Sequence, residues 1–141
     1  MKIYLATPFS EDKRNDMYRA LNFLRSEGHD VYAPVEHIIE HAWDYPNNEW
    51  GLMVFQADIN AIRDSDIVVM LSYGRMSTAG ANWEAGYAYG IGKKIIVVEM
   101  TDEVMSLMVA NGRYATVRGI DGLMNYDFSS MPKTRTATEQ K

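Results

Sequence analysis

Residues 2–34 read KIYLATPFSEDKRNDMYRALNFLRSEGHDVYAP. Lys2 to Thr7 is a short apolar run stopped by Pro8, the pattern of a strand buried on both faces. Ser10 stands where an N-cap belongs, with Glu11 and Asp12 in the first turn, where the helix dipole favours acids. Met17, Leu21 and Leu24 then recur at spacings of four and three, and the stripe ends at Gly28. Asp30 to Pro34 makes a second short strand. Two buried strands joined through a helix are the unit of a parallel sheet.

The same alternation continues outward. Glu36 to Asn48 holds aromatic residues and Pro46 without a clean period, and reads as a long loop with room for one helical turn. From Glu49 a helical stripe of Leu52, Phe55, Ile59 and Ile62 runs to about Asp64, before a third buried strand at Ile67 to Leu71. Ser72 to Gly80 is a polar loop leading into a small-residue helix from about Ala81 to Ile91, closed by Gly92. Lys94 to Glu99 is a fourth strand, Asp102 is expected to cap a short helix through Ala110, and Tyr114 to Val117 is a weak fifth strand. The sequence predicts an α/β fold: a doubly wound, flavodoxin-like or Rossmann-like parallel sheet of five strands in the order 2-1-3-4-5. Residues 1–132 form the expected single domain, and 133–141 a polar, Thr-rich tail expected to be mobile or to lie on a neighbour. Ligands of such sheets bind beyond the carboxyl ends of the strands where strand order reverses, here between the first and third strands. That singles out the loops Thr7 to Ser10 and Ser72 to Gly80.

Composition narrows the function. The chain has 141 residues, with 14 Lys+Arg against 19 Asp+Glu and a formal net charge of −5. An acidic balance without a basic cluster argues against a nucleic-acid polymer as partner. There is no cysteine, which excludes thiol catalysis and thiolate metal sites. No apolar run approaches the roughly 18 residues that cross a bilayer, so no membrane partner is expected and the expected setting is cytoplasmic. Walker A, dinucleotide-glycine and nucleophile-elbow signatures are lacking. His37, Glu40 and His41 spell His-x-x-Glu-His, but in a loop-like segment followed by Pro46, so a solvated loop is expected there and no metal. The methionines and Trp43, Trp50 and Trp83 read as packing residues.

Glu84 is expected in the first turn of the small-residue helix, where the dipole and unpaired N–H groups would keep it ionised, as a nucleophile must be. A helix-start charge is the simpler reading of one such glutamate. Asp58 borders an apolar row of its helix and is either a surface flank or a partly desolvated acid with a raised pKa. As a pair, an ionised carboxylate and a protonated one supply a nucleophile and a general acid, the division of labour in retaining glycosidases, whose carboxyl groups lie about 5–5.5 Å apart. Tyr4, in the first strand, is either core packing or a hydrogen-bond partner for a nearby carboxylate.

Three ordered segments resemble the nucleoside 2-deoxyribosyltransferase family: Lys2-Ile3-Tyr4-Leu5-Ala6-Thr7-Pro8-Phe9, Asp58 to Ile67 (DINAIRDSDI), and Gly80 to Ala88 (GANWEAGYA). Asn125-Tyr126-Asp127-Phe128 is similar to some members, so the likeness reaches from the start to about Phe128. The resemblance implies that Glu84 attacks C1′ of a 2′-deoxynucleoside, that Asp58 manages the proton of the base, and that Tyr4 orients Glu84. It further implies substrate contacts from Thr7, Phe9, His37, Ser77, Thr78, Gly80, Ser106 and Met108, no metal or organic cofactor, and a homo-oligomer whose subunits complete each other's sites. The implied partners are small molecules: deoxynucleosides, deoxynucleotides or free bases.

Some positions depart from the transferase pattern. Thr78, preceded by Ser77, stands where transferases carry an aspartate, Ser106 where they carry an asparagine, and His37 near an expected Asn-Gln pair. These look more like the sister branch of deoxynucleoside 5′-monophosphate N-glycosidases, since hydroxyls suit a phosphate that an aspartate would repel. Overall similarity favours the transferase. A non-catalytic nucleotide-sensing module of the same fold is a further alternative.

Overall fold

A computed structural model describes residues 1–75 and 79–136 of the chain. It contains strands β1 (Lys2–Ala6), β2 (Asp30–Tyr32), β3 (Ile67–Ser72), β4 (Lys94–Glu99) and β5 (Ala115–Arg118), and helices α1 (Arg14–Ser26), α2 (Asn47–Asp64), α3 (Ala79–Gly90), α4 (Leu107–Gly112) and α5 (Gly119–Met124). All strands pair in parallel, in the order β2-β1-β3-β4-β5. This is the expected doubly wound sheet, with the strand order reversing between β1 and β3.

Both faces of the sheet are covered, which is why β3 is buried at every position. On one face Met17, Leu21 and Leu24 of α1 and Ile120 and Leu123 of α5 pack against Ile3, Leu5, Val69 and Ile96. On the other, Ile62 of α2, Ala81, Ala85 and Ala88 of α3 and Val109 of α4 pack against Tyr4, Ala6, Val68 and Val97. Alternate residues of each strand therefore serve opposite layers. Gly28 and Gly92 close α1 and α3 with φ of +89° and +82°, a left-handed conformation that glycine adopts without strain.

Several local expectations are corrected. Ser10 precedes a 3-10 turn (Glu11–Lys13) that leads into α1, and its side chain makes no capping bond. The loop before α2 contains two 3-10 turns, Pro34–Glu36 and Ala42–Asp44, with His41 left-handed at φ 56°, so His37, Glu40 and His41 do not share one helix. The stripe of α2 is buried only at Ile59 and Ile62, while Leu52 and Phe55 are 55% and 49% exposed. Asp102 pairs with Arg118 and caps no helix; α4 begins later, behind Ser106. Helix α5, unforeseen in a glycine-containing run, forms because Ile120 and Leu123 are buried.

The described part of the tail, residues 133–136, lies on its own chain. The Thr116 N–H donates to the Thr134 carbonyl at 3.0 Å, and the Thr134 hydroxyl donates to the Thr116 carbonyl at 2.8 Å. The Thr136 hydroxyl reaches the buried Glu99 carboxylate at 2.7 Å, a group also held by Arg118 at 2.8 Å. Among the described residues no helix is long and apolar enough to cross a membrane.

Ile62, fully buried, joins α2 to the sheet. Ile62→Ala is expected to lower the unfolding free energy by about 2–5 kcal/mol in a denaturant titration, through lost burial and the cavity left behind.

Candidate active site

Register brings the first pieces together. Tyr4 of β1 has Tyr32 of β2 as its Cα partner on one side and Val68 of β3 on the other. Neighbouring side chains of parallel strands share a face, so the two phenol rings stack, 5.6 Å between centroids and 14° between planes. That face is the one covered by α2 and α3.

Each helix aims a carboxylate at one of the rings. On α3, Glu84 follows buried Ala81 by three residues and precedes buried Ala88 by four, which puts it on the underside of the helix. The Tyr4 hydroxyl donates a hydrogen bond to Glu84 Oε2. On α2, Asp58 precedes buried Ile62 by four residues, and its Oδ1 accepts a hydrogen bond of 3.4 Å from the Tyr32 hydroxyl.

Asp58 and Glu84 both line a cleft of about 490 Å³ between α2 and α3, together with Phe9, Gly51, Val54, Phe55, Ile59, Ile62, Ala79, Gly80 and Trp83. A Cβ placed on Gly51 or Gly80 would meet nothing within 4 Å, so both glycines leave the floor of the cleft open. Phe55 and Trp83 meet edge to face at 5.4 Å, and Trp83 stacks on Tyr87 at 5.7 Å, forming an aromatic wall. Apolar walls with a few convergent polar groups are the usual make-up of a small-molecule site.

The electrostatics differ from the expected division into one ionised and one protonated acid. Glu84 is the sixth residue of α3, past the unpaired N–H groups of the first turn. Burial pushes its pKa up to about 7, against the Tyr4 hydrogen bond, which favours the anion, and with a further rise from the charge of Asp58. Asp58 is also raised, again by burial, with the Tyr32 hydrogen bond and His37 opposing the rise. Burial raises the Tyr4 phenol, reinforced by the neighbouring Glu84, so Tyr4 remains a donor. Both acids are thus shifted in the same direction.

Of the other residues singled out, Phe9 and Gly80 line the cleft, and Thr7 is buried just after β1. His37 is exposed, with its ring 6.3 Å from that of Tyr32. Ser77 and Thr78 lie outside the described residues. Ser106 and Met108 are not brought to the cleft. Ser106 stands at the N-cap position of α4 without a side-chain capping bond, and Met108, 79% exposed, lines a separate cleft of about 280 Å³ between α3 and α4. The three tryptophans are not core residues: Trp43, Trp50 and Trp83 are 81%, 44% and 52% exposed. Sequence reasoning missed Phe55 and Trp83 as cleft residues, and Tyr32 as the partner of Asp58. For Trp83 the available signal was its place beside Glu84. Among the described residues no group of three or more His, Asp or Glu side chains is arranged to hold a metal ion.

A sheet with this order, carrying two acids and two phenols at its switch point, is the architecture of a small-molecule enzyme site. The family model described as nucleoside 2-deoxyribosyltransferase matches residues 3–131, and the chain belongs to that family. A solved structure of the 2-deoxyribosyltransferase from the psychrotolerant bacterium Bacillus psychrosaccharolyticus is similar at 30% identity and TM-score 0.85, covering 96% of this chain and 99% of that one. The CMP N-glycosidase BcmB of Clostridium botulinum shares the fold at 16% identity and TM-score 0.62, over 88% of this chain and 95% of that one. A conserved protein from Enterococcus faecalis V583 does so at 21% identity and TM-score 0.61, over 99% and 93%. A search of the curated proteins finds no match.

The raised pKa of Glu84 has a consequence for stability. The folded state takes up this proton at about pH 7 and the unfolded state only near the ordinary glutamate value, so the stabilisation present at low pH is lost as pH rises to about 7. Glu84→Gln, neutral at every pH, is expected to be more stable than the parent at pH 8 by about 1–3 kcal/mol. Urea titrations at pH 8 and pH 4 should show that advantage at the first pH and not at the second.

Proposed function

We propose that this chain cleaves the N-glycosidic bond of 2′-deoxynucleosides and transfers the deoxyribosyl group to another purine or pyrimidine base. The observation that carries the reading is the half-buried Glu84 carboxyl group, held by the Tyr4 hydroxyl in a cleft that Asp58 also lines. In this mechanism a Glu84 oxygen attacks C1′, the C1′–N bond breaks with its electron pair passing to the base, and Asp58 gives that base a proton. An incoming base then attacks C1′ from the face the first one left, releases Glu84, and returns a proton to Asp58. Two inversions retain the configuration at C1′. Tyr4 fixes which oxygen of Glu84 faces the sugar, and its hydrogen bond favours the ionised nucleophile against the burial that opposes it. Phe9, Phe55 and Trp83 supply apolar wall for a flat base.

Deoxynucleoside and deoxynucleoside 5′-monophosphate, each incubated with and without a free acceptor base, test the reading. Base exchange on the unphosphorylated substrate is expected. Release of base to water from the monophosphate alone would instead make the chain an N-glycosidase. Glu84→Ala should lower turnover by about 10³-fold or more while leaving substrate binding measurable by calorimetry.

Assembly belongs to the same proposal. Ile38, Trp43, Leu107 and Met108 are each more than three-quarters exposed on the single chain, apolar side chains suited to contact between copies. Ser106 and Met108, remote from their own cleft, are then available to a neighbour's. Light scattering in solution is expected to give a mass at least twice the 16.1 kDa of one chain, and a mass of 16.1 kDa would overturn the assembly.

A further inference from the structure

Tyr32 sits between two groups of the proposed chemistry and has no part in the steps above. Its ring lies flat on Tyr4, and its hydroxyl is directed to Asp58 Oδ1. We propose that Tyr32 is a positioning residue for Asp58: its hydroxyl holds Oδ1, leaving Oδ2 to exchange the proton with the base, and its stack on Tyr4 ties the setting of one acid to that of the other.

The geometry behind this is set by the sheet. Because Tyr4 and Tyr32 are register partners, their rings cannot shift independently along the strands. Tyr4 delivers its hydroxyl to Glu84 from below α3, and Tyr32 delivers its own to Asp58 from below α2. Two helices with no hydrogen bond between their acids are thus referenced to one aromatic pair. The 3.4 Å separation is long for a hydrogen bond, as catalytic contacts often are before the ligand closes the site. A carboxylate projecting from the middle of a helix has a rotatable Cβ–Cγ bond, and one fixed donor at Oδ1 removes that freedom.

The groups facing Asp58 are Tyr32 on β2, His37 just after it, Tyr4 on β1 and Glu84 on α3. Of these, the Tyr32 hydroxyl favours the anion directly, against burial. Removing it leaves Asp58 protonated to higher pH.

This inference rests on the role proposed for Asp58, and its test is built to fail separately. Tyr32→Phe keeps the ring and its stack and removes only the hydroxyl. By ¹³C NMR of the labelled aspartate carboxyl carbons, the Asp58 titration midpoint is expected to move to higher pH in Tyr32→Phe. With the exchange assay, kcat should fall about tenfold with KM within about twofold, and that loss should vanish when the substitution is made in an Asp58→Asn background. An unmoved Asp58 midpoint, or an equal loss in both backgrounds, would overturn the positioning role. A parent chain that exchanges no base would sink the proposed function alone, with the titration still deciding on Tyr32.

Discussion

A phenol buried at the centre of a parallel sheet must place its hydroxyl somewhere, and in this molecule Tyr4 places it on Glu84. That single donation connects the first strand to the third helix across eighty positions of chain. It depends on β1 lying between β2 and β3, on α3 approaching closely through its alanine face, and on Glu84 occupying the same stripe as those alanines. A larger side chain at Ala81, Ala85 or Ala88 would lift the helix and part the pair. The contact works against the general cost of burying carboxyl groups, a cost visible in the raised pKa values of both Glu84 and Asp58. Strain of this kind is characteristic of sites held for chemistry.

The fold was legible because its signals are local and repeated. Short apolar runs such as Ile67 to Leu71 and stripes such as Met17, Leu21 and Leu24 each carry their own period, and their alternation leaves few topologies open. What escaped depends on tertiary context. Helix α5 has little propensity of its own and exists through the burial of Ile120 and Leu123. Half of the α2 stripe faces outward, because periodicity reports that a face is apolar and says nothing of what covers it.

For the candidate site, part of the residue set was legible and the electrostatic arrangement was not. Glu84, Asp58 and Tyr4 could be named from their motifs; Tyr4 bonds Glu84, and Glu84 and Asp58 line one cleft. The sign of the Glu84 shift was not readable, since a difference of a few residues in where α3 begins exchanges a helix-end environment for a buried one. Tyr32 was invisible for a related reason: its importance comes from register, and register between β1 and β2 is a property of two strands at once.

The outer strands carry one more implication. On one side the sheet ends in β2, only three residues long, and on the other Thr134 occupies the hydrogen-bonding groups of Thr116. A ribbon so brief at one border, and one whose Thr116 is already engaged at the other, is a poor template for another chain to extend. Growth by adding strands is thereby disfavoured, and contact between copies falls to side chains on helices and loops, such as Leu107 and Ile38.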